Sequence, residues 1–76
     1  MTLYEFNTLD LNDRMEVVNQ YGTFLDNYIT KEIKINCYAI DKFFVEFVYD
    51  AKHNVIKEVR SFKYGHSLDK YALRLD

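Results

Sequence analysis

An α+β domain built on an antiparallel β-meander is what this sequence predicts, and three observations carry that prediction. Apolar residues recur at helical spacing near both ends, as Leu11, Met15, Val18 and Tyr21 and again as Leu68, Tyr71, Ala72 and Leu75. Between them the period drops to two, through segments rich in β-branched and aromatic residues. Short polar turns separate those segments, so neighbouring strands fold back on one another. The chain has 76 residues, the size of one domain, and residues 1–76 are read as a single compact unit.

Each element has its own local signal. Thr2-Leu3-Tyr4-Glu5 fits a capping box, with Thr2 as N-cap and Glu5 three residues later, and predicts a short helical turn over 3–8 with Leu3 and Phe6 inward. Asp10 is a second N-cap, and the stripe behind it predicts a helix over 11–21. Gly22 is expected to end that helix in the left-handed conformation. Phe24–Ile29 is a weak strand, followed by Thr30-Lys31-Glu32 as a turn. Ile33–Ile40, Phe43–Tyr49 and Val55–Phe62 are the three clear strands. Asp41-Lys42 and Ala51–Asn54 are the turns between them, with Asn54 suited to a positive φ. Ser67 caps a final helix, with Asp69 in its first turn where the dipole favours an acid. Nine residues of helix are marginal alone in water, so that helix must dock on something. The expected order is αβββα or αββββα, with the helices together on one face of the sheet.

The hairpin of Cys37–Asp50 is the most informative stretch. A two-residue turn at Asp41-Lys42 pairs Ile40–Phe43, Tyr38–Val45, Asn36–Phe47 and Lys34–Tyr49 on one face. Ala39–Phe44, Cys37–Glu46, Ile35–Val48 and Ile33–Asp50 fall on the other. With a four-residue loop at Ala51–Asn54, Ile56, Glu58, Arg60 and Phe62 join the first face, and Val55, Lys57, Val59 and Ser61 the second. A different loop count swaps those two sets, because a one-residue slip inverts a strand. The first face, led by Phe43, Val45 and Phe47, belongs to the helices.

The second face still carries large apolar residues and needs a cover. Ile33, Ile35, Phe44, Glu46, Val48 and Val59 are therefore the expected interface of a homodimer. The alternatives are a wrap by the N-terminal segment, a face simply left exposed, or contact with another protein.

Composition bounds the function. The chain is 49% apolar and 17% aromatic, has no proline, and carries a formal net charge of −2. That excludes a disordered chain and removes the basic footprint that nucleic acid or an anionic membrane requires. No signal peptide and no membrane-length apolar run is visible, and the lone Cys37 suits a cytoplasmic protein. One cysteine excludes an intrachain disulfide, and with His53 and His66 it does not make a structural zinc site. No cofactor is expected, since Gly22 and Gly65 are the only glycines and no phosphate-cradling loop exists. Oligomerisation is the remaining way to stabilise so small a core.

Catalytic constellations do not form in the sequence. Cys37 sits mid-strand beside Glu46, and a carboxylate with burial raises a thiol's pKa, the reverse of what a nucleophile needs. His66 is a loop histidine with no paired acid or nucleophile. Phe44-Val45-Glu46-Phe47 resembles the end of the aromatic strand of RNA-recognition domains, but Asp41, Lys42 and Phe43 stand where that motif wants glycine and an aromatic. The order helix, strands, helix is shared with double-stranded-RNA-binding domains, whose lysine cluster is replaced here by Ser67-Leu68-Asp69-Lys70. Arg60, Lys63, Tyr64 and His66 combine an amphipathic aromatic with cations and form the one expected recognition patch.

Leu3-Tyr4-Glu5-Phe6, Leu9-Asp10, Phe43–Asp50 and Arg60-Ser61-Phe62-Lys63, taken together, resemble small uncharacterised bacterial proteins in which a tyrosine-rich hairpin precedes an Arg-Ser-Phe ending. That resemblance implies a stand-alone small domain of unknown function and transfers no activity. The expected role is that of a non-enzymatic accessory or adaptor protein acting through protein contacts and self-association. The alternative is a small-molecule or nucleic-acid binding module using the aromatic sheet face.

Overall fold

The computed structural model describes residues 1–63 and shows two short helices followed by a four-stranded antiparallel sheet. Helix α1 is Leu3–Asn7 and helix α2 is Leu11–Tyr21; the strands are β1 Thr23–Ile29, β2 Ile33–Ile40, β3 Phe43–Asp50 and β4 Val55–Phe62. They lie in the order β1-β2-β3-β4, a meander with β1 and β4 as edges. The expected C-terminal helix lies outside the described residues.

Both N-caps form. The Thr2 amide donates to Glu5 Oε1 at 2.8 Å, and the Glu5 amide donates to Thr2 Oγ1 at 3.1 Å, the reciprocal pair of a capping box. These bonds hold the Glu5 carboxyl below its ordinary value. Asp10 Oδ1 accepts from the Asp13 amide at 2.9 Å and starts α2. The end of α2 differs from expectation. Gly22 has φ −78° and ψ 146°, which is extended and not left-handed. Its lack of a side chain serves close approach, because a Cβ there would sit 2.6 Å from the Val18 carbonyl oxygen.

Core packing is narrower than the stripe on α2 suggested. Phe6, Val18, Ile40, Phe43, Val45 and Phe47 form one buried cluster, with Leu3, Leu9, Met15, Val17, Tyr38, Tyr49 and Val59 packed against it. Leu11 and Tyr21, at the two ends of the expected stripe, remain 47% and 70% exposed. Only the middle of α2 meets the sheet, and its ends overhang. The α1–α2 corner is tied by Arg14, whose Nη2 donates to the Asn7 carbonyl at 2.9 Å and whose guanidinium lies 5.7 Å from the Phe6 ring centre.

The β2–β3 register is the one a two-residue turn dictates, from Ile40↔Phe43 to Ile33↔Asp50. Asp41 takes φ 50° in that turn, and Asn54 takes φ 55° before β4. The β3–β4 register begins as a four-residue loop requires, at Asp50↔Val55 and Tyr49↔Ile56, and then shifts so that Val48 faces Glu58. This bulge takes up Lys57 and inverts the rest of the strand. Val59 and Ser61 therefore share the helix-covered face with Phe47 and Val45, whereas Glu58, Arg60 and Phe62 share the opposite face with Val48, Glu46 and Phe44. The placement of Val59 on the second face is corrected by that single extra residue.

Candidate interaction surface

Two faces and two edges of the sheet are available for function, and the sequence determines each differently. The first face is closed by α1 and α2. Tyr38 lies at its margin, 5.5 Å from the Phe47 ring centre and 5.6 Å from that of Phe24 on β1. Burial raises the Tyr49 phenol, nearby Tyr38 adds to the rise, and a hydrogen bond with Asn36 opposes it.

The second face holds most of the expected dimer interface, and its centre is already buried within one copy. Ile35, Glu46 and Val48 expose 2%, 1% and 3% of their surface, and Cys37 exposes 1%. Ile33 and Phe44 are half-buried. Phe44 stacks on Phe62 across the strand pair, with ring centres 5.7 Å apart. Four carboxylates, Asp26, Glu46, Asp50 and Glu58, share this face by register. Arg60 answers two of them, lying 3.1 Å from Glu58 and 3.9 Å from Glu46.

That position also separates the expected recognition patch. Arg60 points to the acidic side chains of the second face, while Lys63 lines a cavity beside α1. Tyr64 and His66 lie outside the described residues. The cavity, of about 590 Å³, lies between the start of α1 and the β2–β3 turn, and its walls include Leu3, Tyr4, Lys42, Phe43 and Lys63. Met1 and Asp41 also line it, the Met1 ammonium pairing with Asp41 at 2.6 Å, which raises the ammonium's pKa.

The edges differ more sharply than the faces. On β4, Lys57, Glu58 and Arg60 are exposed and charged, and the bulge twists the strand, the usual protection against unwanted pairing. On β1 the only charged residue is Asp26. Phe24, Leu25 and Ile29 are 53%, 47% and 61% exposed, and Tyr21 at the end of α2 adjoins them in sequence. A bulge at Leu25 interrupts β1 near its start, and Asp26–Ile29 then pair regularly with β2. The sequence contained a signal for this edge: Phe24-Leu25 breaks the apolar–polar alternation of a half-buried strand.

Titratable groups do not assemble into a reactive centre among the described residues. His53 Nδ1 lies 3.1 Å from Asp50 Oδ2 in an exposed turn, and Asp50 Oδ1 also accepts from the Lys52 and His53 amides. These bonds hold the Asp50 carboxyl below its ordinary value, the His53 side chain being the largest cause. Cys37 is a buried thiol in the middle of β2, paired across the sheet with Glu46. No three of His, Cys, Asp and Glu converge as metal ligands among the described residues, and no helix there is long and apolar enough to cross a membrane.

The chain matches no protein-family model, no curated protein and no solved structure.

Proposed function

We propose that this domain is a cytoplasmic, non-catalytic protein-contact module that self-associates by continuing its sheet through β1. The observation that supports this most directly is the asymmetry of the two edges. Both edges carry a bulge, but β4 is guarded by three charges, whereas β1 carries only Asp26 and offers Phe24, Leu25 and Ile29 beside a row of backbone groups. A second copy is the natural occupant, because an antiparallel β1–β1 contact is self-complementary about a two-fold axis. The net charge of −2 offers little repulsion between copies.

Size sets the strength of that contact. Tyr21, Phe24, Leu25 and Ile29, 47–70% exposed, contribute roughly 100 Å² apiece, so a symmetric pair buries about 800 Å² of side-chain surface. This falls short of the roughly 1,200 Å² of a stable interface and indicates a weak, reversible dimer in the micromolar range or above. Sedimentation velocity from about 10 µM to about 1 mM tests it. Concentration-dependent dimer lost in Ile29→Lys and Phe24→Lys but retained in Val55→Lys, on the other edge, supports the assignment. A monomer at every concentration, or a dimer indifferent to the β1 variants, overturns it.

The cavity beside α1 favours a second reading, a small amphipathic anion with its apolar body on Leu3, Tyr4 and Phe43 and its charge near Lys42 and Lys63. Saturable NMR shifts at Tyr4 and Phe43 with a medium-chain fatty acid would support it, and no shift would reject it. Nucleic acid is disfavoured, since the formal net charge of −2 offers no basic footprint for phosphate.

A further inference from the structure

Alternation along the ladder fixes which backbone groups of β1 face away from the sheet. The two-residue turn at Asp41-Lys42 makes Ile40 and Phe43 a hydrogen-bonded pair. Even-numbered residues of β2 therefore bond to β3, and Ile33, Ile35 and Cys37 turn their backbone toward β1. The Thr30 amide agrees with this, donating to the Ile33 carbonyl at 2.9 Å. Asp26 and Tyr28, opposite Cys37 and Ile35, thus bond inward to β2. Asn27 and Ile29 carry the outward amides and carbonyls of the regular part of the strand, beyond the bulge at Leu25. One of those outward donors is already engaged: the Asn27 amide donates to Asp26 Oδ1 at 2.7 Å.

We propose that Asp26 gates the β1 edge: its carboxylate caps the outward Asn27 amide, and a second copy completes a β1–β1 ladder only when Asp26 releases that amide. The inference rests on the reading of β1 as the self-association edge and names the residue that regulates it. A short acidic side chain that gives a neighbouring amide a local partner competes with the ladder bond the same amide would make. Asp26 is also the only charged residue on the strand. An edge can be protected by such a side chain as well as by a bulge, and β1 carries both.

The symmetry of the pair shows what the cap withholds. In an antiparallel contact centred on Tyr28, Asn27 of each copy lies opposite Ile29 of the other, and the outward donors of both strands find carbonyls. Capping Asn27 removes half of those bonds while leaving Phe24, Leu25 and Ile29 exposed to make apolar contact. In the same register the two Asp26 side chains sit about 13 Å apart along the strands, beyond the screening length at physiological ionic strength. Their mutual repulsion is therefore small, and Asp26 acts through the Asn27 amide. The guard on β1 is a single hydrogen bond, which opens reversibly, whereas β4 is protected by three exposed charges.

The experiment uses the full chain and compares it with Asp26→Ala and Asp26→Asn by sedimentation velocity. Asp26→Ala removes the cap and is expected to lower the dimer Kd about 10-fold, the worth of two recovered main-chain bonds. Asp26→Asn loses the charge but keeps an oxygen acceptor, so it is expected to tighten the dimer less. Equal tightening by both variants would assign the effect to charge and overturn the gate, as would no tightening by Asp26→Ala. Amide exchange at about 1 µM, read residue by residue in the monomer, gives an independent measure. Asp26→Ala is expected to lower the protection of the Asn27 amide at least about 5-fold and to leave that of Tyr28 unchanged. Unchanged protection at Asn27, or loss at Tyr28 as well, would overturn the cap. Absence of a dimer in every variant would sink the β1 reading and the gate with it, whereas a dimer indifferent to Asp26 sinks the gate alone.

Discussion

Replacing Phe6 by alanine removes the one wholly buried side chain of a five-residue helix, and the size of the loss measures how α1 is held. Phe6 has 0% exposure, its ring centre lies 5.5 Å from that of Phe43 at an angle of 54°, and the Arg14 guanidinium lies over its ring. A helix of five residues has no independent stability, so α1 persists through this anchor, its capping box, the packing of Leu3, the Arg14 bond to the Asn7 carbonyl and the bond from the Ser61 hydroxyl to the Asn7 side chain. A buried Phe→Ala change costs about 3–5 kcal/mol. A 76-residue domain has about 4–11 kcal/mol in total, so the variant sits close to its threshold. The expected fall in melting temperature is about 12 °C or more. Urea unfolding followed by circular dichroism measures it, with Tyr4→Ala as the exposed control, expected within about 0.5 kcal/mol of the native chain. A cycle with Phe43→Ala should return a coupling of about 0.5–1.5 kcal/mol from the ring pair. A Phe6→Ala loss below about 1 kcal/mol would refute the reasoning, since it would mean that α1 is not part of the cooperative core.

Other perturbations probe separate links. Asp10→Ala should cost about 1 kcal/mol by uncapping α2, and Asp10→Ser should restore most of it in the same unfolding assay. Gly22→Ala should destabilise despite a φ any residue accepts, because its Cβ meets the Val18 carbonyl; a neutral or stabilising result would contradict the close approach. Asn54→Gly should be tolerated and Asn54→Val should cost about 1 kcal/mol or more, given φ 55° at that position. The Asp50 carboxyl is held below its ordinary value near 3.8, so its contribution is present above that value and is lost as pH falls through the lower folded one. Asp50→Asn should therefore flatten the acid limb of a stability-versus-pH curve below about pH 4, and an unchanged limb would show that the His53 and amide bonds do not operate in solution.

Legibility in the sequence tracked how local each determinant is. The capping residues Thr2 and Asp10, the two-residue turn at Asp41-Lys42 and the left-handed Asn54 act within a few residues, and each appears where the sequence placed it. The weak β1 strand was visible because its neighbours gave it a partner. The candidate surface was harder to read. Exposed apolar residues on an edge strand look like core residues until the order of the strands is known. The expected interface at Ile35, Glu46 and Val48 looked open because the burial of a sheet face is not a local property. Arg60 and Lys63 looked like one patch, being three apart, until the β4 bulge turned Arg60 toward Glu46.

By itself, then, the sequence determined the α+β class, the boundaries of β2 and β4, both N-caps and the complete β2–β3 register, because hydrogen bonding and side-chain alternation across a two-residue turn leave one solution. Tertiary structure decided the rest. One extra residue at Lys57 chose which half of β4 faces the helices, since the pleat alternates with period two and nothing nearby marks where a strand slips. Steric room chose glycine at position 22, where a neighbouring carbonyl and not a backbone angle excludes a side chain. Tertiary structure also decided that the centre of the second face is buried while the β1 edge stays exposed, because burial is set by which surfaces meet.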